Sequence, residues 1–477
     1  MMNDNVRTSR HPRTRDLAPF ALAGILACLC ASPPARAATI TVTHFGDDIY
    51  CDAIGCSLRG ALLAARSGDT VVWAAGLSYP AVTTLTDTIL GRPLLILSGV
   101  NVQGPGADKL AIDAQHLSRV FSIETRSPDP PVTLSGLSLI NGRAEGVNYP
   151  HTNCAGITDS GEPGAAGGPA EGGCIWGAAA TTLNLERVAL DRCAAIGGRG
   201  QDGRGDVFGL FGTDGGAGGM ARGGAIFSLG NLGLREVSLN HSTLTGGDGG
   251  WGQLAFMSGT HGNGGDGGDA SGGVVWVAGS MDWRNVSIAD TTVKAGDRGN
   301  VCNSGDASAG SGGNVFGGAV ATSAPATISF SSLEINGIQA GVNPRNGATG
   351  TINGNVLNSS GPVILNHSVL NAAVGNGDVD PSCMGASIVA SGSQSRGPCA
   401  DASVNPLGMF TPIIASNGIM TLMPEATSPI IDAASNCMDA NANTVLFDAR
   451  GMPRPFNGAC DLGAHEYDGI LFKNGFE

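Results

Sequence analysis

The hydrophobic positions of this chain recur in a six-residue pattern, apolar-x-x-apolar-x-apolar, in copies spaced by about fifty residues. The copies begin at Leu134, Leu185, Leu234, Trp283 and Phe330, and a degenerate copy begins at Leu365. Each copy is short and alternating, which predicts a β-strand with one buried face. One strand cannot bury that face alone, so the copies must stack at the ~4.8 Å spacing of neighbouring strands to complete a core.

A second motif keeps the same phase as the first. Paired glycines followed by small or β-branched residues stand ahead of four copies, at Gly172, Gly223, Gly272 and Gly317. Glycine adopts positive φ angles without strain, and a stacked coil needs corners of that kind. The two motifs together predict an all-β fold, a right-handed parallel β-helix, whose hand follows from the general preference of parallel crossovers.

The chain divides into regions of different composition. Residues 38–400 are predicted to form the β-helix, with the clear repeats at about 172–341. Insertions rich in Gly, Asp, Ala and Ser separate the repeats, at 154–171, 197–222, 246–271 and 296–316. They are longer than most structureless loops in compact domains, and a solenoid places such insertions on one side. The sequence leaves open whether they are mobile or form a second ordered layer.

Both ends of the predicted solenoid look specialised. Ser57 can N-cap a short helix, Leu58 to Ala65, whose apolar face would plug the first coil. Residues 401–467 lack the glycine-rich insertions, which predicts a separate C-terminal closing unit. Residues 468–477 form a short tail and a possible sorting signal.

The N-terminus is typical of an export signal. Residues 1–37 combine several arginines, a short apolar stretch and an Ala-x-Ala site ending at Ala37, which predicts a signal peptide. Lipidation of Cys28 is an alternative. No later stretch is apolar enough for a membrane helix. An exported protein meets an oxidising environment, so we expect disulfides; the close pairs are Cys51/Cys56, Cys383/Cys399 and Cys437/Cys460.

Composition narrows the function classes. The chain has 76 glycines in 477 residues, but 42% of its residues are hydrophobic, so a core can form and intrinsic disorder is excluded. The formal net charge of -14 disfavours nucleic acid as a partner.

Two stretches near the repeats resemble known exported proteins. Cys56-Ser57-Leu58-Arg59-Gly60-Ala61-Leu62 is similar to the Cys-Ser-Leu-Arg-Glu-Ala-Ile signature of exported bacterial β-helix proteins, with Gly60 in place of Glu. The Gly-Gly-Ala-Ile repeats resemble those of polymorphic outer-membrane proteins. The resemblance implies a β-helix that is exported.

The C-terminal part resembles the closing region of the choice-of-anchor family. The stretches that carry this resemblance are 428–433, 448–455 and 460–467, and residues 471–477 are similar to an Asn-Gly-Phe-Glu ending on secreted proteins of proteobacteria. It implies a secreted protein or one on the outer surface of a Gram-negative-type bacterium. The family has no single activity, so the resemblance implies no chemistry.

Candidate binding residues lie between the apolar positions of neighbouring copies. Glu186, Arg187, Arg235 and Glu236 are predicted to lie side by side. They form either a solvated cross-strand charge ladder or a sugar-binding or lyase surface. Trp251, in a glycine-rich insertion, is a candidate stacking platform, whereas Trp276 and Trp283 fall on strands and are expected in the core.

A weak calcium site is a further possibility. Gly264–Asp269 matches the start of the calcium-binding nonapeptide repeat, which makes Asp266 and Asp269 candidate ligands. Ser271 stands where that repeat needs a large apolar residue, and a polar loop is the alternative. No other cofactor is indicated.

The sequence thus favours a non-enzymatic, adhesin-like protein that binds glycans, matrix or another cell. A polysaccharide lyase or hydrolase is the first alternative, although no catalytic residue can be assigned. A passive structural protein is the second. Neither the ligand nor the oligomeric state follows from the sequence.

Overall fold

The structure of this chain is a computed structural model, and from Ala38 onward the chain forms one compact unit. It describes residues 37–469 except for 87–92, 127–128, 153–156, 159–160, 207–210, 256–260, 303–309, 343–348, 373–382, 396–401, 404–409 and 457. The predicted signal peptide and most of the predicted tail therefore lie outside the described residues.

The predicted parallel β-helix is confirmed. Among the described strands, 22 form one sheet in which each strand pairs in parallel with its equivalent in the next coil. Each full coil contributes a short strand to a front row and a longer one to a main row. The front row consists of Leu94–Ile96, Phe121–Ile123, Ile175–Gly177, Ile226–Ser228, Val275–Val277 and Val320–Thr322. The main row consists of Thr39–Val42, Thr70–Trp73, Ala81–Thr84, Asn101–Gln103, Leu110–Asp113, Val132–Ile140, Thr182–Asp191, Asn231–Asn240, Met281–Ala289, Ala326–Ser329, Ser332–Ile335, Leu357–Asn366, Val369–Ala372, Cys383–Ser391, Gln394–Ser395 and Ala402–Ser403.

Two smaller parallel sheets complete the coils. A return row follows the main row and consists of Arg143–Glu145, Ala194–Ile196, Thr243–Thr245, Thr292–Lys294 and Gly337–Gln339. An outer row precedes the front row and consists of Ala170–Glu171, Ala221–Arg222, Ala270–Ser271, Val315–Phe316 and Ile352–Asn353. The remaining strands pair as Ile157–Thr158 with Gly205–Asp206, in parallel, and Phe410–Ile414 with Met420–Pro424, antiparallel.

The core is a set of side-chain ladders. Leu134, Leu185, Leu234 and Trp283 stack in register and are fully buried, as the repeat predicts. The predicted fifth copy is wrong by two residues, because Ile328 and not Phe330 stacks on Trp283. Trp283 and Ile328 are 45 residues apart, whereas the earlier copies are 49–51 residues apart, so regular spacing did not indicate the true register.

Each coil bends in the middle of its main-row strand. The bend falls on one residue per coil, which has a positive φ of 45–61° in Gly136, Arg187, Glu236, Asn285, Phe330, His367 and Gly392. We refer to these residues as the corner row. The predicted glycine corners are confirmed as well, with φ between 60° and 69° at Gly172, Gly223, Gly272 and Gly317.

The predicted capping helix is present and spans Leu58–Ala64. Ser57 caps it, because its hydroxyl accepts a hydrogen bond from the N–H of Gly60 at 2.9 Å. A Cβ on Gly60 would lie 2.1 Å from the carbonyl oxygen of Tyr50. Here, then, the chain leaves no room for the Glu of the signature that it resembles.

The glycine-rich insertions form an ordered second layer, which settles the alternative that the sequence left open. Backbone hydrogen bonds run both within and between the described parts of the insertions: Gly219 donates to Gly198 and Gly268 to Gly247 within one insertion each, and Gly247 donates to Gly219 of the preceding insertion, each at 2.8 Å. Such bonds recur at every third residue, the period of a polyproline II helix. We call this layer the glycine array.

Close backbone approach explains why the glycine array contains so few side chains. A Cβ on Gly247 would lie 1.9 Å from the carbonyl oxygen of Gly198, and one on Gly268 would lie 2.1 Å from that of Gly219. Real Cβ atoms do not approach an oxygen so closely, so only glycine fits. The high glycine content is therefore a packing requirement of this layer.

The described residues from Phe410 onward, which we call the C-terminal unit, pack along the side of the coils. Asn285 and Asn366 of the main-row strands donate to the carbonyl oxygens of Phe447 and Met438, both at 2.8 Å. Further along the solenoid, Ala107 packs in one buried cluster with Ile419, Ala449 and Ala464. The unit thus covers several coils laterally.

Disulfide bonds cross-link residues near the N-terminal helix, within one coil and in the C-terminal unit. The predicted pairs Cys51–Cys56 and Cys437–Cys460 are confirmed, and Cys174–Cys193 is a third bond that the sequence did not assign. Cys383 is also disulfide-bonded. Its predicted partner, Cys399, lies outside the described residues.

Candidate functional site

An open groove crosses the outward side of the main row and spans three consecutive coils. Its volume is about 430 Å³, and most of its lining residues carry polar side chains. The lining residues are Thr182, Asn184, Glu186, Asn231, Leu232, Gly233, Arg235, Ser280 and Asp282. We call it the lateral groove. Its position follows from strand alternation, because side chains next to the buried ladder positions point outward.

Glu186, Arg235 and Asp282 give the lateral groove its charge. Glu186 and Arg235 occupy the same register position in neighbouring strands. Arg235 forms an ion pair with Asp282 and also donates to its carbonyl oxygen at 2.9 Å, so the guanidinium is held in one place. Among the described residues, the side-chain carboxylate of Glu186 has no hydrogen-bond partner. The three groups leave the groove with one net negative charge.

The predicted set of four charged residues is divided by the bend of the strand. The register of Glu186 and Arg235 is confirmed, and both line the lateral groove. Arg187 and Glu236 belong instead to the corner row. Burial raises the pKa of Glu236, and the nearby Arg187 and Arg284 oppose that rise. We therefore place Arg187 and Glu236 outside the groove.

The corner row faces the C-terminal unit. Arg284, next to Asn285 of the corner row, lies 3.6 Å from Asp439 of that unit, and the guanidinium of Arg454 lies 4.7 Å from the ring centroid of Phe330. Arg454 is itself buried and forms an ion pair with Glu466 at 2.9 Å. These contacts assign the corner row to the docking of the C-terminal unit.

Trp251 lies in the glycine array, in a polar cluster apart from the lateral groove. Its ring meets the ring of His151 edge-on, with 4.3 Å between centroids, and its backbone N–H donates to Asp202 at 2.9 Å. Thr152 and Arg199 also donate to this buried carboxylate. Burial alone would raise the pKa of Asp202, but these hydrogen bonds outweigh it and lower the pKa to about 2.

The tryptophans on strands divide between the core and the surface. Trp283 is fully buried, as expected. The expectation for Trp276 is wrong, because it is partly exposed and stacks on Phe227 with ring centroids 4.7 Å apart. It follows Val275 in a front-row strand, and alternation turns neighbouring residues to opposite faces.

Asp266 and Asp269, the candidate calcium ligands, connect successive coils of the glycine array. Asp266 accepts from the backbone N–H of Ser311 at 2.6 Å, and Asp269 accepts from that of Asn314 at 2.7 Å. In the described ranges, no group of three or more His, Cys, Asp or Glu side chains is arranged to hold a metal. The geometry gives these carboxylates a structural role between coils.

Several groove residues were missed from the sequence, namely Thr182, Asn184, Asn231, Ser280 and Asp282. They lie outside the two slots of the six-residue pattern. The alternation continues one and three residues before each copy, and at the first of these positions Asn184 is in register with Gly233 and Asp282. Extending the aligned strands towards the N-terminus would have found this row.

The fold and the groove together define the class: a parallel β-helix protein with a polar lateral groove. No family model and no curated protein matches the chain. A solved structure described as pectate lyase Pel9A is similar over 90% of this chain and 96% of that chain, with 12% sequence identity and a TM-score of 0.29. At these values the similarity carries no argument about activity. None of the described helices is long and apolar enough to span a membrane.

Proposed function

We propose that this chain is an exported protein, secreted or held at the cell surface, that binds a polysaccharide in the lateral groove without cleaving it. The observation that carries this proposal is the row of outward polar side chains over three stacked coils, with Glu186, Arg235 and Asp282 among them. A polysaccharide presents many hydroxyl groups along an extended chain. Amides, hydroxyls and carboxylates set at regular ~4.8 Å steps can bind such a chain at several points.

The charge of the groove limits the class of polymer. Because Asp282 neutralises Arg235, the carboxylate of Glu186 remains as the net charge. The negative charge of the groove would repel the carboxylates of a polyuronate, whereas it would not repel neutral sugars or amino sugars. The proposal therefore favours neutral or amino-bearing polysaccharides.

Non-catalytic binding is proposed because the groove shows no pair of carboxylates in distinct acid and base roles. Asp282 is already paired with Arg235, which leaves Glu186 as the available carboxylate. General acid–base hydrolysis of a glycosidic bond needs two such groups. A lyase or hydrolase remains the alternative that the experiment must separate.

The test is binding of the purified chain to immobilised polysaccharides, with neutral glucan, chitosan and polygalacturonate as probes. We expect glucan or chitosan to bind, and Glu186→Gln to weaken that binding about tenfold through loss of a charged hydrogen-bond acceptor. Glu145→Gln makes the same change on the exposed return row and should have no effect. If no polymer binds, or if both variants lose binding equally, the proposal fails.

The same incubations separate binding from cleavage. Size-exclusion profiles of the polymers should stay unchanged in the presence of the chain. Shortened polymer would replace the proposal by the lyase or hydrolase alternative. Export is tested separately, by expressing the full chain and sequencing the N-terminus of the exported product, which should begin near Ala38.

A further inference from the structure

A second cleft lies on the other side of the coils, where the outer row meets the front row. The two rows join at glycine corners, so their outward side chains face each other across a re-entrant angle. Contacts across it show this directly: the guanidinium of Arg222 lies 5.1 Å from the ring centroid of Trp276, and Trp176 donates to Glu171 at 3.2 Å. We call it the aromatic cleft.

In its first coils the aromatic cleft is filled by its own side chains. Trp176, Phe227 and Trp276 stack on one another in consecutive coils, with centroid distances of 6.4 and 4.7 Å. Arg222 covers the stack and pairs with Glu171 at 2.8 Å. In these coils the rings stack on each other and the two charges are paired.

The stack ends after Trp276 and the cleft opens. The next residues in the same register are Ala321, Asn358 and Met384, so no aromatic ring continues the series. On the facing outer row the corresponding residues are Phe316 and Asn353. The result is a cavity of about 410 Å³, lined by Phe316, Asn353, Asn358, Ser359 and Met384.

The lining of this cavity combines apolar surface with hydrogen-bond acceptors and contains no charged side chain. Phe316 is partly exposed and Met384 is 45% exposed. The amide nitrogens of Asn353 and Asn358 donate within the protein, to Thr351 and to the carbonyl oxygen of Asn353. Their side-chain oxygens have no partner in the described part of the chain, so both can accept a hydrogen bond from a ligand.

From this geometry we infer that the open end of the aromatic cleft is a second binding site, for one or two rings of a neutral saccharide. The C–H face of a sugar ring packs on Phe316 and Met384, and its hydroxyls donate to the amide oxygens of Asn353 and Asn358. Concave sites with an apolar wall and a few converging polar groups are typical of small-ligand binding. The absence of charge in the lining distinguishes this site from the lateral groove.

The test is titration calorimetry of the full chain with maltose, cellobiose and xylobiose, each measured alone, because two sugar rings fill this site and are too short to cross the three coils of the lateral groove. We expect one of them to bind, and Phe316→Ala to weaken that binding about tenfold. Asn358→Leu keeps the side-chain size but removes the acceptor, and it should weaken binding about fivefold. Phe211→Ala removes a phenyl ring that is 58% exposed elsewhere and should leave binding unchanged.

The inference does not rest on the lateral groove, and the titration keeps the two apart. Glu186→Gln should leave disaccharide binding intact, while Phe316→Ala should leave the Glu186-dependent binding of polysaccharide intact. Thermal melting of each variant shows whether it is folded. The inference is overturned if no disaccharide binds the native chain, or if the folded Phe316→Ala and Asn358→Leu variants bind as the native chain does.

Discussion

The coils of the β-helix and the glycine array solve the same stacking problem in two ways. In the coils, strands are held by backbone ladders and by buried side chains such as Leu185 and Leu234, which stack in register. In the glycine array, the segments approach so closely that backbone contacts backbone, as between Gly247 and Gly198. One layer is stabilised mainly by burial of apolar area, and the other by backbone hydrogen bonds and close packing.

The difference predicts unequal tolerance to substitution. A side-chain ladder accommodates other apolar residues, as Trp283 next to Leu234 already shows. A backbone array has no side chain that can move aside. The glycine array, whose sequence looks the less specific of the two, should therefore tolerate fewer substitutions than the coils.

The largest expected effect is that of one methyl group in the glycine array. Gly247→Ala places a Cβ 1.9 Å from the carbonyl oxygen of Gly198, and we expect a loss of about 4 kcal/mol or more in the free energy of unfolding, measured in urea. Gly76→Ala is the matched control, because nothing lies within 4 Å of its Cβ. Equal effects of the two changes would show that the array is not close-packed.

A smaller loss is expected in the coils. Leu234 is fully buried, so Leu234→Ala should cost about 3 kcal/mol through lost burial and a residual cavity. Leu234→Ile conserves volume and should cost less than about 1.5 kcal/mol. Both are measured by urea unfolding beside the glycine variants. If Leu234→Ile costs more than Gly247→Ala, the proposed difference in tolerance is reversed.

The coils could be predicted because the residues that form their core and corners recur at regular intervals in the sequence. Alternating apolar residues and phased glycines identified the rows, and Ser57 identified the capping helix. The predicted register failed only where the spacing between copies changed, so that Ile328 took the place expected for Phe330. Apolar spacing alone cannot locate a bend, because residues as different as Arg187 and Phe330 occupy the corner row.

The glycine array and the candidate sites were less predictable for a different reason. Repeated glycine is compatible with a flexible chain, and only the contacts between segments show that Gly219 and Gly247 hydrogen-bond to each other. Only the exact register of the strands shows that Glu186 and Asp282 line the same groove. Adjacent positions in sequence, such as Glu186 and Arg187, were separated by the bend that the pattern does not show.

The glycine array should also show a specific dependence on pH. The pKa of Asp202 is lowered from 3.8 to about 2 by hydrogen bonds that require the ionised carboxylate. Its contribution, about 2 kcal/mol, is fully present above about pH 5 and is lost as the pH falls towards 2. Asp202→Asn should lack this contribution.

The measurement is the melting temperature of the native chain and of Asp202→Asn between pH 7 and pH 2. The difference between the two proteins should be largest at neutral pH and should shrink as the carboxylate of the native chain is protonated. Asp108→Asn, at an exposed position of the coils, controls for a general charge effect. A difference that stays constant with pH would contradict the role given to Asp202.

The smallest effect is expected at Asp266. Its substitutions show whether this carboxylate links successive coils or binds calcium. Its Oδ1 accepts hydrogen bonds from the backbone and the hydroxyl of Ser311, at 2.6 and 3.0 Å. Asp266→Ala should therefore cost about 1 kcal/mol in unfolding free energy, whereas Asp266→Asn retains an acceptor and should cost much less. A calcium ligand would behave differently, because the amide would lose the charge that binds the ion. Added calcium should thus leave the melting temperature of the native chain unchanged, and a rise that Asp266→Asn abolishes would restore the calcium site predicted from the sequence.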